Sequence, residues 1–104
     1  MEEKKLVGYD IDGVLTDGVI PEERYVVISG RTFAEYDETC KRLAQNVPLY
    51  IRGSGKYGDR LDAGNFKAKM INHLGVVKYY EDDQVQANII KNSCPACELI
   101  LWKL

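Results

Sequence analysis

"YDIDGVLTDG", residues 9–18, follows a short apolar run and carries two aspartates two residues apart, with a glycine directly after the second. Aspartate is a poor strand former, so an Asp-x-Asp closing an apolar strand is not there for the strand's sake. In a parallel sheet flanked by helices, polar residues at the carboxyl ends of strands line the ligand crevice. The stretch therefore predicts an architecture and also the place in it where chemistry belongs.

Working outward, apolar runs recur as "LVGY" at 6–9, "YVVI" at 25–28, "VPLYI" at 47–51, "VVKYY" at 76–80 and "ELILW" at 98–102. Helix-period segments separate the later ones. "TFAEYDETCKRLAQ" at 32–45 carries a stripe of Phe33, Tyr36, Cys40, Leu43 and Ala44. Thr32 and Glu35 are spaced as a capping box, and Asn46 and Pro48 stop the helix. Residues 52–64 read as a glycine-rich loop containing Lys56, Asp59, Arg60 and Asp62. A second helix is expected over 65–74, with Phe66, Met70 and Leu74 on one face and Gly75 as terminator. Asp83 is placed to cap a third helix over 84–92, with Val85, Ile89 and Ile90 facing inward. Short strands alternating with helices predict an α/β fold. The expected form is a three-layer sandwich around a mostly parallel sheet of about five strands, in one domain over residues 1–104. Only about a dozen residues separate Gly13 from Tyr25, enough for a turn and a flap and too few for a cap domain.

A net charge of −2 gives no global attraction to nucleic acid or anionic membrane, so any such contact must be local. No stretch approaches transmembrane length, and the opening MEEKK does not resemble a secretion signal. Three cysteines, an odd count, predict reduced thiols and a cytoplasmic location.

Three strand ends are polar: Asp10 with Asp12, then Ser29, Gly30 and Arg31, then Glu81, Asp82 and Asp83. A parallel sheet brings all three to one edge. Carboxylates gathered there repel one another unless a cation stands between them. Mg²⁺ suits such a cluster, since it takes one or two carboxylates and keeps other positions for water or phosphate oxygens. A lysine at the start of the preceding helix, Lys67 or Lys69, can neutralise more charge. His73 reads as a surface residue late in its helix. The Cys-x-x-Cys at Cys94 and Cys97 reads as a turn before the last strand.

These pieces, in this order, resemble the four motifs of the haloacid dehalogenase-like superfamily of aspartyl-phosphate enzymes. "DIDGVLTDG" resembles the first motif, with Val14 where many members have threonine. "VVISGR" resembles the second, Lys67 in "NFKAK" the third, and "YYEDD" the "DD" form of the fourth. Within the superfamily the likeness is closest to the 3′-phosphatase domain of phage-type polynucleotide kinases, through "VVISGR", "VPLYI", "GDRLDAGNFK", "YYEDD" and "LILW". The kinase half has no counterpart, because "GSGKY" lacks the Walker A spacing.

The resemblance implies a capless Mg²⁺-dependent phosphomonoesterase. Asp10 would be the nucleophile, Asp12 the general acid and base, and Lys67 the cation beside the phosphate. Ser29, Gly30 and Arg31 would bind the phosphate, and Asp10, Asp12, Asp82 and Asp83 would surround the metal. The implied partner is a phosphorylated small molecule or a nucleic-acid end. Tyr57 is a candidate face for stacking a base. The competing expectation is a module that keeps the fold and binds phosphate or protein without turnover.

Overall fold

The computed structural model describes residues 5–21, 24–41, 43, 47–56 and 58–102. Ala44, Asn46 and Tyr57, which the sequence reading assigned to a helical stripe, a helix stop and a base contact, lie outside the described residues. Strands β1 (Val7–Tyr9), β2 (Tyr25–Thr32), β3 (Leu49–Gly53), β4 (Lys78–Glu81) and β5 (Glu98–Leu101) form one sheet in the order β3-β2-β1-β4-β5. Every neighbouring pair is parallel, so the sheet is wholly rather than mostly parallel. With helices α1 (Tyr36–Lys41), α2 (Arg60–Leu74) and α3 (Gln84–Ser93), this is a Rossmann-like α/β sandwich. Among the described residues no helix is long and apolar enough to cross a membrane.

The strand order reverses between β1 and β4. From β1 the chain moves out through β2 to β3, then returns to lay β4 on the other side of β1. Such a switch point opens a crevice at the carboxyl ends of the two strands. Right-handed crossovers put α2 and α3 together on one face of the sheet. The core under them holds Val26, Ile28, Ala68, Ile71, Tyr79 and Ile90. Period-two alternation sends Val7, Tyr9, Tyr25 and Tyr80 to the other face, where Val14, Leu15 and Val19 of the flap cover them. Tyr9 stacks on Tyr80 at 4.9 Å and meets Tyr25 edge-on at 6.0 Å.

Three local expectations change. The stripe through Phe33, Tyr36 and Cys40 faces solvent, and Thr39 is the buried residue of α1. Glu35 does accept from the Thr32 amide at 3.1 Å, but what opens there is a 3-10 turn at Phe33–Glu35. Its tighter pitch shifts the phase of the helix that follows.

The expected loop over 52–64 ends early, because α2 begins at Arg60 with Asp59 as its cap, accepting from the Asp62 amide at 3.0 Å. Gly64 misleads as a loop signal. It sits inside α2 because α3 comes so close that a Cβ there would meet Ile89 at 2.8 Å. Finally, β2 runs on through Ser29, Gly30 and Arg31 to Thr32, with an irregular register against β3 between Ser29 and Thr32. The C-cap Gly75 (φ 71°) and the N-cap Asp83 stand as the sequence places them.

Candidate functional site

A cavity of about 260 Å³ opens at the carboxyl edge, lined among others by Asp10, Asp12, Ser29, Arg31, Lys67 and Asp82. Its floor is buried charge. Asp10 follows β1 directly, and its amide donates to the Tyr80 carbonyl of β4 at 3.1 Å, which pins it at the switch point. Lys67 comes across from α2, and its ammonium lies 3.2 Å from Asp10 Oδ1 and 2.7 Å from Glu81 Oε1. Its neighbours a turn away on each side, Ala63 and Ile71, are buried too, so this face of α2 lies against the sheet. Lys69 is exposed. Geometry thus chooses Lys67 from the two lysines.

Glu81 is the site residue that motif reading passed over. It is fully buried, and its second oxygen accepts from the amides of Asp82 and Asp83 at 3.1 and 3.2 Å. A signal for it was present. Tyr79 is a core residue, and alternation along β4 sends residue 81 to the same face. Asp10, Glu81 and Asp82 each offer a carboxylate oxygen, and these atoms lie within 4.8 Å of one another. Asp82 also closes over Gly13, where a Cβ would fall 1.9 Å from Asp82 Oδ2 and where φ is +77°. Only glycine meets both conditions.

The electrostatics record how closely the charges are packed. Burial pushes Glu81 up to about 8, Lys67 opposes that shift, and the charge of Asp10 adds to it. Asp82 is also raised, by burial and then by Asp10. Burial alone would lower Lys67, but Asp10 and Glu81 outweigh it and hold the ammonium charged. One lysine thus faces three acids. Three carboxylate oxygens gathered this closely could hold a hard divalent cation.

Around the rim the pairings are different. Arg31 grips Asp12 with both ends of its fork, Nε to Oδ2 at 3.1 Å and Nη2 to Oδ1 at 2.7 Å, and also donates to Thr39 Oγ1 at 3.2 Å. Ser29 is buried and its hydroxyl oxygen accepts from the Arg31 amide at 3.1 Å. Asp83 is not gathered with the other acids. It caps α3 by accepting from the Gln86 amide at 3.0 Å and pairs with Arg60. Burial would raise Asp83, but Arg60 and the Gln86 amide outweigh it and hold it below the usual carboxylate range.

Arg52, also passed over, ties the site together. It donates to the Gly30 carbonyl at 2.9 Å, the Lys56 carbonyl at 2.7 Å and Asp62 at 2.7 Å. The end of β2, the loop after β3 and the first turn of α2 are thereby held in one frame. A Cβ at Gly30 would meet that of Ala63 in α2 at 2.6 Å, so the end of β2 is also tight against the helix.

Compared with known protein families, with curated proteins and with solved structures, the chain finds no match in any of the three.

Proposed function

We propose that this chain is a capless phosphatase of the haloacid dehalogenase-like type, which hydrolyses phosphomonoesters through an aspartyl-phosphate. The observation that carries the reading is the Asp10–Lys67 contact of 3.2 Å at the floor of the cavity. It joins a carboxylate able to attack phosphorus to an ammonium that can neutralise both it and the arriving phosphoryl oxygens.

In this reading an Asp10 oxygen forms a bond to phosphorus as the bond to the leaving alkoxide breaks. Asp12 delivers a proton to that oxygen. Water then attacks the aspartyl-phosphate while Asp12 takes a proton from it, and inorganic phosphate leaves. Lys67 and the Ser29 hydroxyl face the phosphoryl oxygens, where charge accumulates during transfer. Mg²⁺, held by Asp10, Asp82 and Glu81, would add fixed positive charge there. Glu81 keeps Lys67 aimed at Asp10. The open cavity suits a nucleotide or a nucleic-acid 3′-phosphate as well as a small phosphorylated molecule. The three free cysteines fit a reducing, cytoplasmic setting.

One observation favours the alternative of a phosphate-binding module without turnover. Asp12 is held in a two-point grip by Arg31, and to serve as acid and base it must turn from Arg31 toward the leaving oxygen. The two readings separate in a panel of phosphomonoesters, 3′-phosphorylated oligonucleotides included, assayed with and without Mg²⁺. Metal-dependent turnover that disappears in Asp10→Asn is the expected result. Binding without turnover across the panel would establish the module instead.

A further inference from the structure

We propose that Gln86 is a specificity-determining residue of this site, whose carboxamide pairs with a hydroxyl on the alcohol part of the phosphomonoester. The inference deepens the phosphatase reading above and rests on it for where the phosphate lies. Gln86 lines the cavity. Among the described residues its Oε1 is buried without a hydrogen-bond partner. A buried acceptor left unpaired costs free energy until a donor arrives. The four cations that line the same cavity, Arg31, Arg52, Arg60 and Lys67, are all paired with acids.

The chain offers Gln86 a local partner that the fold takes away. Asp83 and Gln86 have the spacing of a capping box, in which the side chain at 86 would accept from the main-chain amide at 83. The Gln86 amide does donate to Asp83 at 3.0 Å, but the Asp83 amide is given to Glu81 Oε2 at 3.2 Å. The carboxamide lies instead toward the end of β2, where a Cβ at Gly30 would be 3.9 Å from Gln86 Oε1 and 2.6 Å from the Cβ of Ala63. Close helix packing holds it there. A Cβ at Gly64 of α2 would fall 3.2 Å from Gln86 Cα.

This contact sets the level of Gln86 in the cavity. Ala63 stands one turn of α2, about 5.4 Å, from Lys67 on the side of exposed Arg60. With the phosphoryl group on the floor at Lys67 and Ser29, Gln86 stands beside the atoms joined to the ester oxygen. A hydroxyl both donates and accepts, so it can pair with either end of the carboxamide as that group turns about its last bond. A hydrocarbon in the same place leaves the carboxamide unpaired, which is how a polar site rejects an analogue lacking one hydroxyl.

The test compares propylene glycol phosphorylated at its primary hydroxyl with propyl phosphate, which lacks the neighbouring hydroxyl, as probes of the whole chain. Dissociation constants come from calorimetry with Mg²⁺ present, and kcat/KM is measured alongside. The wild-type protein is expected to prefer the glycol phosphate about ten-fold, the span of one neutral hydrogen bond. Gln86→Met, which keeps the length and shape of the side chain without its polar end, should abolish that preference. Gln86→Glu should keep it, because a carboxylate still accepts from the hydroxyl, while both probes bind less tightly. No preference in the wild-type protein, or a preference that survives in Gln86→Met, overturns the role of Gln86. Absence of turnover with both probes would remove the phosphatase reading, and the ratio of the two dissociation constants would still decide the role of Gln86.

Discussion

Lys67 with Asp10 and Glu81, and Arg31 with Asp12, are charge clusters in one cavity under opposite solvent regimes. In the first, the lysine and Glu81 are wholly buried and Asp10 nearly so. In the second, the Asp12 side chain is 61% exposed, while the Arg31 side chain that grips it is only 12% exposed. Buried charge carries a desolvation cost that only its partners offset, so removing one partner leaves the others stranded. A pair with one end in water loses less when broken, because water replaces the partner at that end. The floor of the site should therefore be coupled more strongly to the stability of the fold than the rim.

The sharpest way to break this contrast is Lys67→Met. It strands Asp10 without a counter-charge and removes the donor to Glu81. A stability loss of about 3–5 kcal/mol is expected in urea unfolding, together with loss of turnover. A loss within the range of an exposed pair would show that water reaches the floor.

Glu81→Gln acts on the same cluster with a smaller and pH-dependent effect. Glu81 is raised from its ordinary 4.5 to about 8 in the folded chain. The folded state thus keeps a proton that the unfolded chain releases. The stability that comes from this proton is complete below pH 4.5 and is lost as the pH climbs to about 8. Denaturation midpoints without added metal should fall across that window in the wild-type protein. They should fall less in Glu81→Gln, and equal slopes in the two proteins would take Glu81 out of the account.

Arg31→Ala carries the comparison to the rim. Unfolding should shift by about 1–2 kcal/mol, less than in Lys67→Met, while on the phosphatase reading KM for a phosphomonoester rises several-fold, since the guanidinium proposed to meet the phosphate is lost. A destabilisation as large as that of Lys67→Met would erase the distinction between rim and floor.

The smallest effect is expected for Arg60→Ala. Arg60 is exposed, and the change should leave thermal unfolding close to wild type. Asp83, which Arg60 helps to hold low, should then titrate higher, as followed by NMR of its carboxyl carbon. An unmoved Asp83 would assign the low value to the α3 cap instead.

Much was legible in the chain because it is written in local chemistry. The Asp-x-Asp after an apolar run, the Thr32–Glu35 spacing, the Asp83 cap and the Gly75 terminator act within a few residues. Five apolar runs separated by such signals are enough for an α/β sheet, and alternation then brings the polar strand ends to one edge. That is why Asp10, Asp12, Ser29, Arg31 and Asp82 are legible together in the chain, with Lys67 or Lys69 beside them, and these five line one cavity with Lys67.

Tertiary structure decided what depends on elements far apart in sequence. The choice between Lys67 and Lys69 waited for the side of α2 that meets the sheet. Glu81 joined the site because β4 lies beside β1 and its inward face meets Lys67. Asp83 left the acid cluster because Arg60, 23 residues away, and the first turn of α3 hold it. Gly64 read as loop because its local propensity opposes a helix, yet the close approach of α3 leaves no space for any side chain there. Local rules describe a residue against its neighbours in the chain. Burial, charge balance and close packing are set by neighbours in space, and no spacing within the sequence contains them.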